Sequence, residues 1–169
     1  MNRWTQHHEP ALRRDLDEDE SLLDASRVVI TAASSIAASD LDETAGDRNE
    51  RWLRSRSDRV RRGAARGRGS RHARLAVARE LGFPIPGPVF VLGISDRRVL
   101  FWKASAGAAT PTELAGSFPL TEVAAIRSAR RFGFMRLAVL LEAGPLLVVQ
   151  PVWTRNLGDV ADAFSAVRG

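Results

Sequence analysis

This chain of 169 residues has no cysteine, 25 basic and 20 acidic residues, and a net charge of +5. The length is that of one domain, or of one domain with an additional charged segment. The lack of cysteine excludes disulfides and cysteine-ligated metal sites, and no apolar run reaches the roughly 18 residues that a membrane helix needs. The composition therefore predicts a cytoplasmic protein without a transmembrane segment.

The first predicted unit covers residues 1–38. Residues 1–9 carry no clear pattern, whereas Leu12 and Leu16 fall four residues apart after Pro10. We therefore expect a frayed start and a short helix over 10–16. Apolar residues between 21 and 31 predict a strand that could supply a missing strand to the following sheet. This N-terminal unit is a candidate to pack on that sheet.

The second predicted unit, residues 39–71, is polar at first and then rich in arginine, glycine and serine. Such a composition buries too little apolar surface to offset ordering entropy, so we predict a disordered charged linker. Its Arg66-Gly-Arg68-Gly sequence resembles an Arg-Gly RNA-binding segment, which makes Arg66 and Arg68 candidate binding residues. Residues 51–79 hold 11 arginines against Asp58, and counterion release would favour nucleic acid or anionic lipid. Pairing with the acidic residues of 9–50 is the alternative.

The third predicted unit, residues 72–169, combines helices with short apolar runs. We expect a helix over 72–81, ended by Gly82, and a final amphipathic helix. Its predicted buried face consists of Leu157, Val160, Ala161, Phe164 and Val167. Between the helices we predict strands at 89–94, 98–103, 113–118, 122–129, 135–141 and 146–152. Short strands at regular spacing, separated by turn residues, predict an α+β fold with an antiparallel sheet or barrel.

The stretch Ile94-Ser-Asp-Arg-Arg-Val-Leu-Phe101 resembles the "Thr-Asp-Arg-Arg-Leu" strand–turn–strand signature of bacterial pleckstrin-homology-like and GRAM-like domains. Phe118-Pro-Leu-Thr-Glu-Val123 is similar to the "Pro-Leu-x-Glu-Ile" step that follows in them. The resemblance covers about residues 83–168, with serine at position 95 in place of the usual threonine. It implies a strongly bent antiparallel sheet of about seven strands, capped by a C-terminal helix. It implies no catalytic residues.

Three residues of this unit are candidate binding residues. Arg97 and Arg98 follow Asp96 in a predicted hairpin and could contact a ligand; alternatively, Asp96 bonds the turn amides and the arginines are solvated or pair with nearby acids. Trp102 lies in a strand that is apolar on both faces, whereas a one-sided sheet needs only one apolar face. The extra face would cover a partner or a second copy of the chain; alternatively, the N-terminal helix or residues 75–81 would pack on it.

The residue types that catalysis needs are poorly represented in the predicted sheet. The three histidines, His7, His8 and His72, all lie outside it, and no nucleophile elbow or phosphate loop is present. We therefore predict no catalytic, cofactor-binding or metal-binding residues, and a non-catalytic binding or interaction module whose partner is a protein. The alternative function is a nucleic-acid or anionic-surface binder that uses residues 51–79. The sequence indicates neither the partner's identity nor the oligomeric state.

Overall fold

The computed structural model describes residues 1–35, 71–105, 110–131, 134–152 and 157–168. These residues form an α+β structure in which one antiparallel sheet of seven strands is accompanied by three helices. The sheet order is β4-β3-β2-β1-β7-β6-β5. In chain order the elements are α1 (Arg3–Arg13), β1 (Leu22–Ser35), α2 (Arg71–Glu80), β2 (Val89–Ser95), β3 (Arg98–Ala104), β4 (Pro111–Pro119), a 3-10 turn (Leu120–Glu122), β5 (Val123–Arg131), β6 (Phe134–Leu141), β7 (Pro145–Pro151) and α3 (Leu157–Arg168).

Strand β1 lies in the middle of the sheet and is its longest strand, with 14 residues. Its first half pairs with β2, from Leu22 to Val29, and its second half pairs with β7, from Val28 to Ser35. Register shifts in both ladders add local bends to the strand. The strand predicted over 21–31 is therefore confirmed, and it joins the two halves of the sheet.

The main core lies on one side of the sheet, which we call the inner face. Phe90 and Phe101 are fully buried there, with ring centroids 5.9 Å apart. Helix α3 packs on this face through Val160, Ala161 and Phe164, as its spacing predicts. Val167 is 39% exposed, so its predicted place on the buried face is wrong. Ser165 and Ala166 beside it are exposed as well, so these residues of α3 lie beyond the core.

Helix α2 also packs on the inner face, through buried Leu75 and Ala78. It ends at the predicted glycine, since Gly82 has a φ of 87° and the Phe83 N–H returns to the Ala78 carbonyl at 3.0 Å. The predicted linker over 39–71 lies outside the described residues, with the exception of Arg71. That residue begins α2, so it does not belong to a disordered segment.

The opposite, outer face of the sheet is covered over β1, β2 and β3 by helix α1. A second apolar cluster forms here, made of Leu12, Leu22, Ala25, Val91, Leu100 and Trp102. A third cluster lies on the outer face of the other half, made of Ala32, Ala138, Leu140, Leu146 and Val148. Both faces of β3 are therefore buried, which explains why its sequence is apolar at every position from 99 to 102.

Helix α1 differs from its prediction, because it spans Arg3–Arg13 rather than 10–16. The side chain of Asn2 caps it, accepting hydrogen bonds from the N–H groups of Trp4 at 2.9 Å and Thr5 at 3.0 Å. Pro10 lies inside the helix rather than in its first turn. The predicted frayed start is wrong because this first turn is anchored to β1, as described below.

Candidate functional site

The turn between β2 and β3, residues 95–98, holds two of the predicted site residues, Arg97 and Arg98. We call it the arginine turn. The Ser95 hydroxyl is buried and accepts hydrogen bonds from the N–H groups of Arg97 at 3.2 Å and Arg98 at 3.0 Å. A serine at this position can therefore close the turn as a threonine would. Asp96 bonds elsewhere: its carboxylate accepts from the Ser21 N–H at 3.0 Å. The expectation that Asp96 bonds the turn amides is wrong, because Ser95 takes that role.

Residues 15–20 pass over the arginine turn, and we call them the acidic loop. Its last residue, Glu20, has a fully buried side chain. The Arg98 guanidinium donates to it through Nε, at 2.9 Å to Oε1, and through Nη2, at 2.5 Å to Oε2. The Ser95 hydroxyl donates to the same carboxylate. The fixed planar geometry of the guanidinium makes such two-point contacts strong.

The environment of Glu20 sets its charge. Burial acts to raise the pKa of this carboxyl, but the hydrogen bonds from Arg98, Ser95 and the backbone of Asp17 outweigh burial and lower the pKa to about 2. Glu20 is therefore ionised at any physiological pH. Hydrogen bonding to Glu20 also raises the pKa of Arg98, so both partners of this ion pair are charged at physiological pH.

Arg97 pairs with Asp19 of the acidic loop, at the surface. The side chains are 47% and 73% exposed, respectively. The hydrogen bond from Arg97 lowers the pKa of the Asp19 carboxyl, but solvent screens a pair of this kind. Both arginines of the turn are thus paired with acids of the same chain. This agrees with the expectation that they pair with nearby acids rather than contact a ligand.

Trp102, the third candidate in the sheet, is fully buried. Its indole Nε1 donates to the Asp15 carboxylate at 3.0 Å, and Leu12 of α1 belongs to the same cluster. Gly93 of β2 makes room for the ring, because a Cβ there would lie 2.7 Å from Trp102 Cζ3. The extra apolar face of β3 is therefore covered by the N-terminal unit, and Trp102 is out of reach of an external ligand.

A buried polar cluster that the sequence analysis missed fixes α1 to β1. The Asp24 carboxylate, 1% exposed, accepts from the backbone N–H of Asn2 at 2.9 Å and from its side-chain amide at 2.9 and 3.0 Å. The Thr5 hydroxyl lies 2.7 Å from the same carboxylate and accepts from the Ala25 N–H at 2.9 Å. The sequence signal for a helix that starts here was Asn2 followed by Thr5, because both residue types are favoured at helix N-termini.

The arginine-rich region is described only in part. Arg66 and Arg68 lie outside the described residues. At the end of α2, Arg79 donates to the carbonyls of Ile85 at 2.9 Å and Pro86 at 2.8 Å, which ties the proline-rich segment to the helix. Arg71 is exposed at the start of the same helix.

A further group of arginines, on β5 and β6, was also missed. Strands β5, β6 and β7 contain four arginines and no acidic residue. Arg127 is exposed, and Arg136 lies opposite Ala129 on the same face of the hairpin. The sequence signal for this group was the Arg127-Ser-Ala-Arg-Arg131 run. A strand prediction that relies on apolar residues ends the strand within such a run.

The described ranges contain no group of three or more His, Cys, Asp or Glu side chains arranged to hold a metal ion. Among the helices in these ranges, none combines the length and apolar character needed to cross a membrane.

No protein-family model matches this chain, and no curated protein matches it. Among solved structures, it is similar to the hSac2 domain from human phosphoinositide phosphatase Sac2, with a TM-score of 0.38 and 11% sequence identity. The similarity covers 98% of this chain and 76% of that one. A likeness at this level carries no argument about what the chain does.

Proposed function

We propose that this chain is a non-catalytic binding module of the pleckstrin-homology-like class, located in the cytoplasm, whose partner is a protein. The seven antiparallel strands and the C-terminal helix support the proposal, because these are the elements that the resemblance of residues 94–101 and 118–123 implies. The covered face of β3 adds support, since the N-terminal unit and the sheet form one packed body.

The observation that carries the non-catalytic part is the commitment of the buried polar side chains to the fold. A general acid or base works best with a pKa near the operating pH, whereas the pKa of Glu20 is about 2. Asp24 is enclosed by hydrogen bonds from Asn2 and Thr5. The Ser95 hydroxyl closes a turn and bonds Glu20. Each group therefore stabilises structure, and what the molecule offers to a partner is its surface.

The alternative proposal, a nucleic-acid or anionic-surface binder that uses residues 51–79, has weaker support among the described residues. Arg79 is engaged with two backbone carbonyls. The arginine turn offers no help to such a binder, because Arg97 and Arg98 are paired with Asp19 and Glu20.

Crosslinking of the tagged full chain in its native cells, followed by reconstitution with the purified partner, tests the proposal. We expect a protein whose recovery resists nuclease treatment and which binds the isolated chain directly. Recovery that nuclease abolishes, together with binding to single-stranded DNA that is lost on deletion of residues 51–70, would establish the alternative. Turnover of a substrate by the purified chain would overturn the non-catalytic proposal.

A further inference from the structure

The third apolar cluster, on the outer face of the half of the sheet formed by β1, β7, β6 and β5, is buried although it consists of strand residues alone. Leu140, Leu146 and Val148 are 8%, 3% and 5% exposed. The inner core includes side chains of α2 and α3, and the cluster around Trp102 includes Leu12 of α1. None of the three described helices contributes to the third cluster. Since an antiparallel sheet that faces water shows polar side chains there, this apolar face needs a cover.

The chain leaves β1 directly beside this cluster. Within the ladder between β1 and β7, Ser34 pairs with Leu146 and Ser35, the last residue of β1, pairs with Pro145. At a strand separation of about 4.8 Å, the four strands extend over roughly 14 Å. Residues 36–53, which follow β1, number 18, and even a helical segment of this length reaches about 27 Å at 1.5 Å per residue. They are thus close enough and long enough to cover the cluster.

The composition of residues 36–53 also suits this face. The segment carries five acidic residues against two arginines, and its large apolar residues are Ile36, Leu41, Trp52 and Leu53. The face itself is basic, because Arg127 is exposed and lies opposite Ala138 of the cluster, and β5, β6 and β7 contain no acidic residue. Opposite charge would bring the segment to the face, and burial of apolar surface would stabilise the contact.

We propose that residues 36–53 dock on the outer face of β1, β7, β6 and β5 and bury the third cluster. The apolar side chains of the segment cover the cluster, and its carboxylates lie toward Arg127. This face is therefore occupied by the chain itself, and a partner binds elsewhere on the module. The disordered linker that composition predicts then begins at residue 54 rather than 39.

The docking has a consequence for the arginine-rich stretch. Residues 54–70 carry seven arginines against Asp58. Acidic residues that are held on the sheet do not pair with these arginines, so the stretch keeps its positive charge and extends from a segment fixed to the sheet.

Relaxation of methyl NMR signals by a soluble gadolinium chelate, measured on the full chain, tests the proposal because it reports exposure to solvent. Leu100, which is fully buried, and Val167, which is 39% exposed, provide the two reference rates. Replacement of residues 36–53 by a Gly-Ser sequence of equal length should raise the relaxation of the third cluster from the Leu100 rate toward the Val167 rate. The same replacement of residues 54–70 is the matched control and should leave the cluster at the Leu100 rate.

Relaxation of the cluster that stays at the Leu100 rate after replacement of residues 36–53 would overturn the proposal, because other residues would then bury it. An increase caused by the control replacement alone would do the same. A rate that rises on dilution of the unchanged chain would identify a second copy as the occupant and would also overturn the proposal. If Leu100 becomes exposed as well, the replacement has disturbed the fold; the double variant Leu41→Ser, Trp52→Ser then tests the same contact, with the same expected increase in the cluster.

Discussion

Two neighbouring acids of the same loop show how burial changes the contribution of an ion pair to stability. Glu20 and Asp19 each hydrogen-bond an arginine of the turn, but Glu20 is fully buried and Asp19 is mostly exposed. Removing one partner of a buried pair leaves an uncompensated charge in a poorly solvated place, which costs far more than losing an exposed pair. The two acids thus provide a test within one loop.

We expect Glu20→Gln to lower the free energy of unfolding by about 3 kcal/mol, because Arg98 would lose its charged partner. Asp19→Asn, the matched variant, should leave stability unchanged within error. Urea denaturation at neutral pH measures both. Equal effects of the two substitutions would mean that the acidic loop does not hold the arginine turn as described.

At the scale of elements, the attachment of helix α1 to β1 depends on one asparagine. Asn2 caps the helix and also donates three hydrogen bonds to Asp24. Asn2→Ala removes the cap and both amide donors, so we expect a loss of about 2 kcal/mol. Hydrogen exchange should become faster in α1 and leave β6 and β7 unchanged. Uniform acceleration across the sheet would contradict a local anchor.

The packing of helix α3 on the inner face depends on the aromatic ring of Phe164. Phe164 is 5% exposed and packs in the inner core, whereas Val167 on the next turn is 39% exposed. Phe164→Ala should therefore lower stability by about 3–5 kcal/mol, through lost burial and the cavity left behind. Val167→Ala is the control and should change stability by less than about 0.5 kcal/mol. A loss below about 1 kcal/mol for Phe164→Ala would show that α3 is not docked through this ring.

The elements also differ in how well their residues predicted them. Strands β2 and β3 and helix α3 have strong apolar patterns and were placed within a residue or two. Helix α1 was misplaced because Asn2, Thr5 and Asp24 act together only when residues distant in sequence meet. The pairing of the acidic loop with the arginine turn could likewise not be predicted, because Glu20 and Arg98 are 78 residues apart. Periodicity reports local structure, and these contacts are long-range.

For the whole molecule, Glu20 links stability to acid. Its folded pKa of about 2 lies below the ordinary glutamate value of 4.5. Because a lowered folded pKa favours the folded state when the group is ionised, this contribution is complete above about pH 5. It is lost as the pH falls from about 4.5 to 2, by about 3 kcal/mol at 1.4 kcal/mol per pKa unit.

Unfolding free energies from pH 5 to pH 2 check this linkage. The difference between the unchanged chain and Glu20→Gln should shrink as the pH falls, since protonated Glu20 resembles glutamine. A difference that stays constant over this range would show that the carboxyl is not the group responsible.

The position of β1 has a consequence for how the chain is made. Among the strands that the structure describes, β1 is synthesised first, yet half of its length pairs with β7, whose residues follow more than a hundred positions later. During translation, residues 22–29 can find β2 well before residues 30–35 find their partner. Pairing of this second half with β7 joins residues that are far apart in sequence, and such pairing is slow. Residues 30–35 of the newly made chain therefore lack their strand partner until β7 leaves the ribosome, and over that interval this open strand edge is exposed to chaperones and to aggregation.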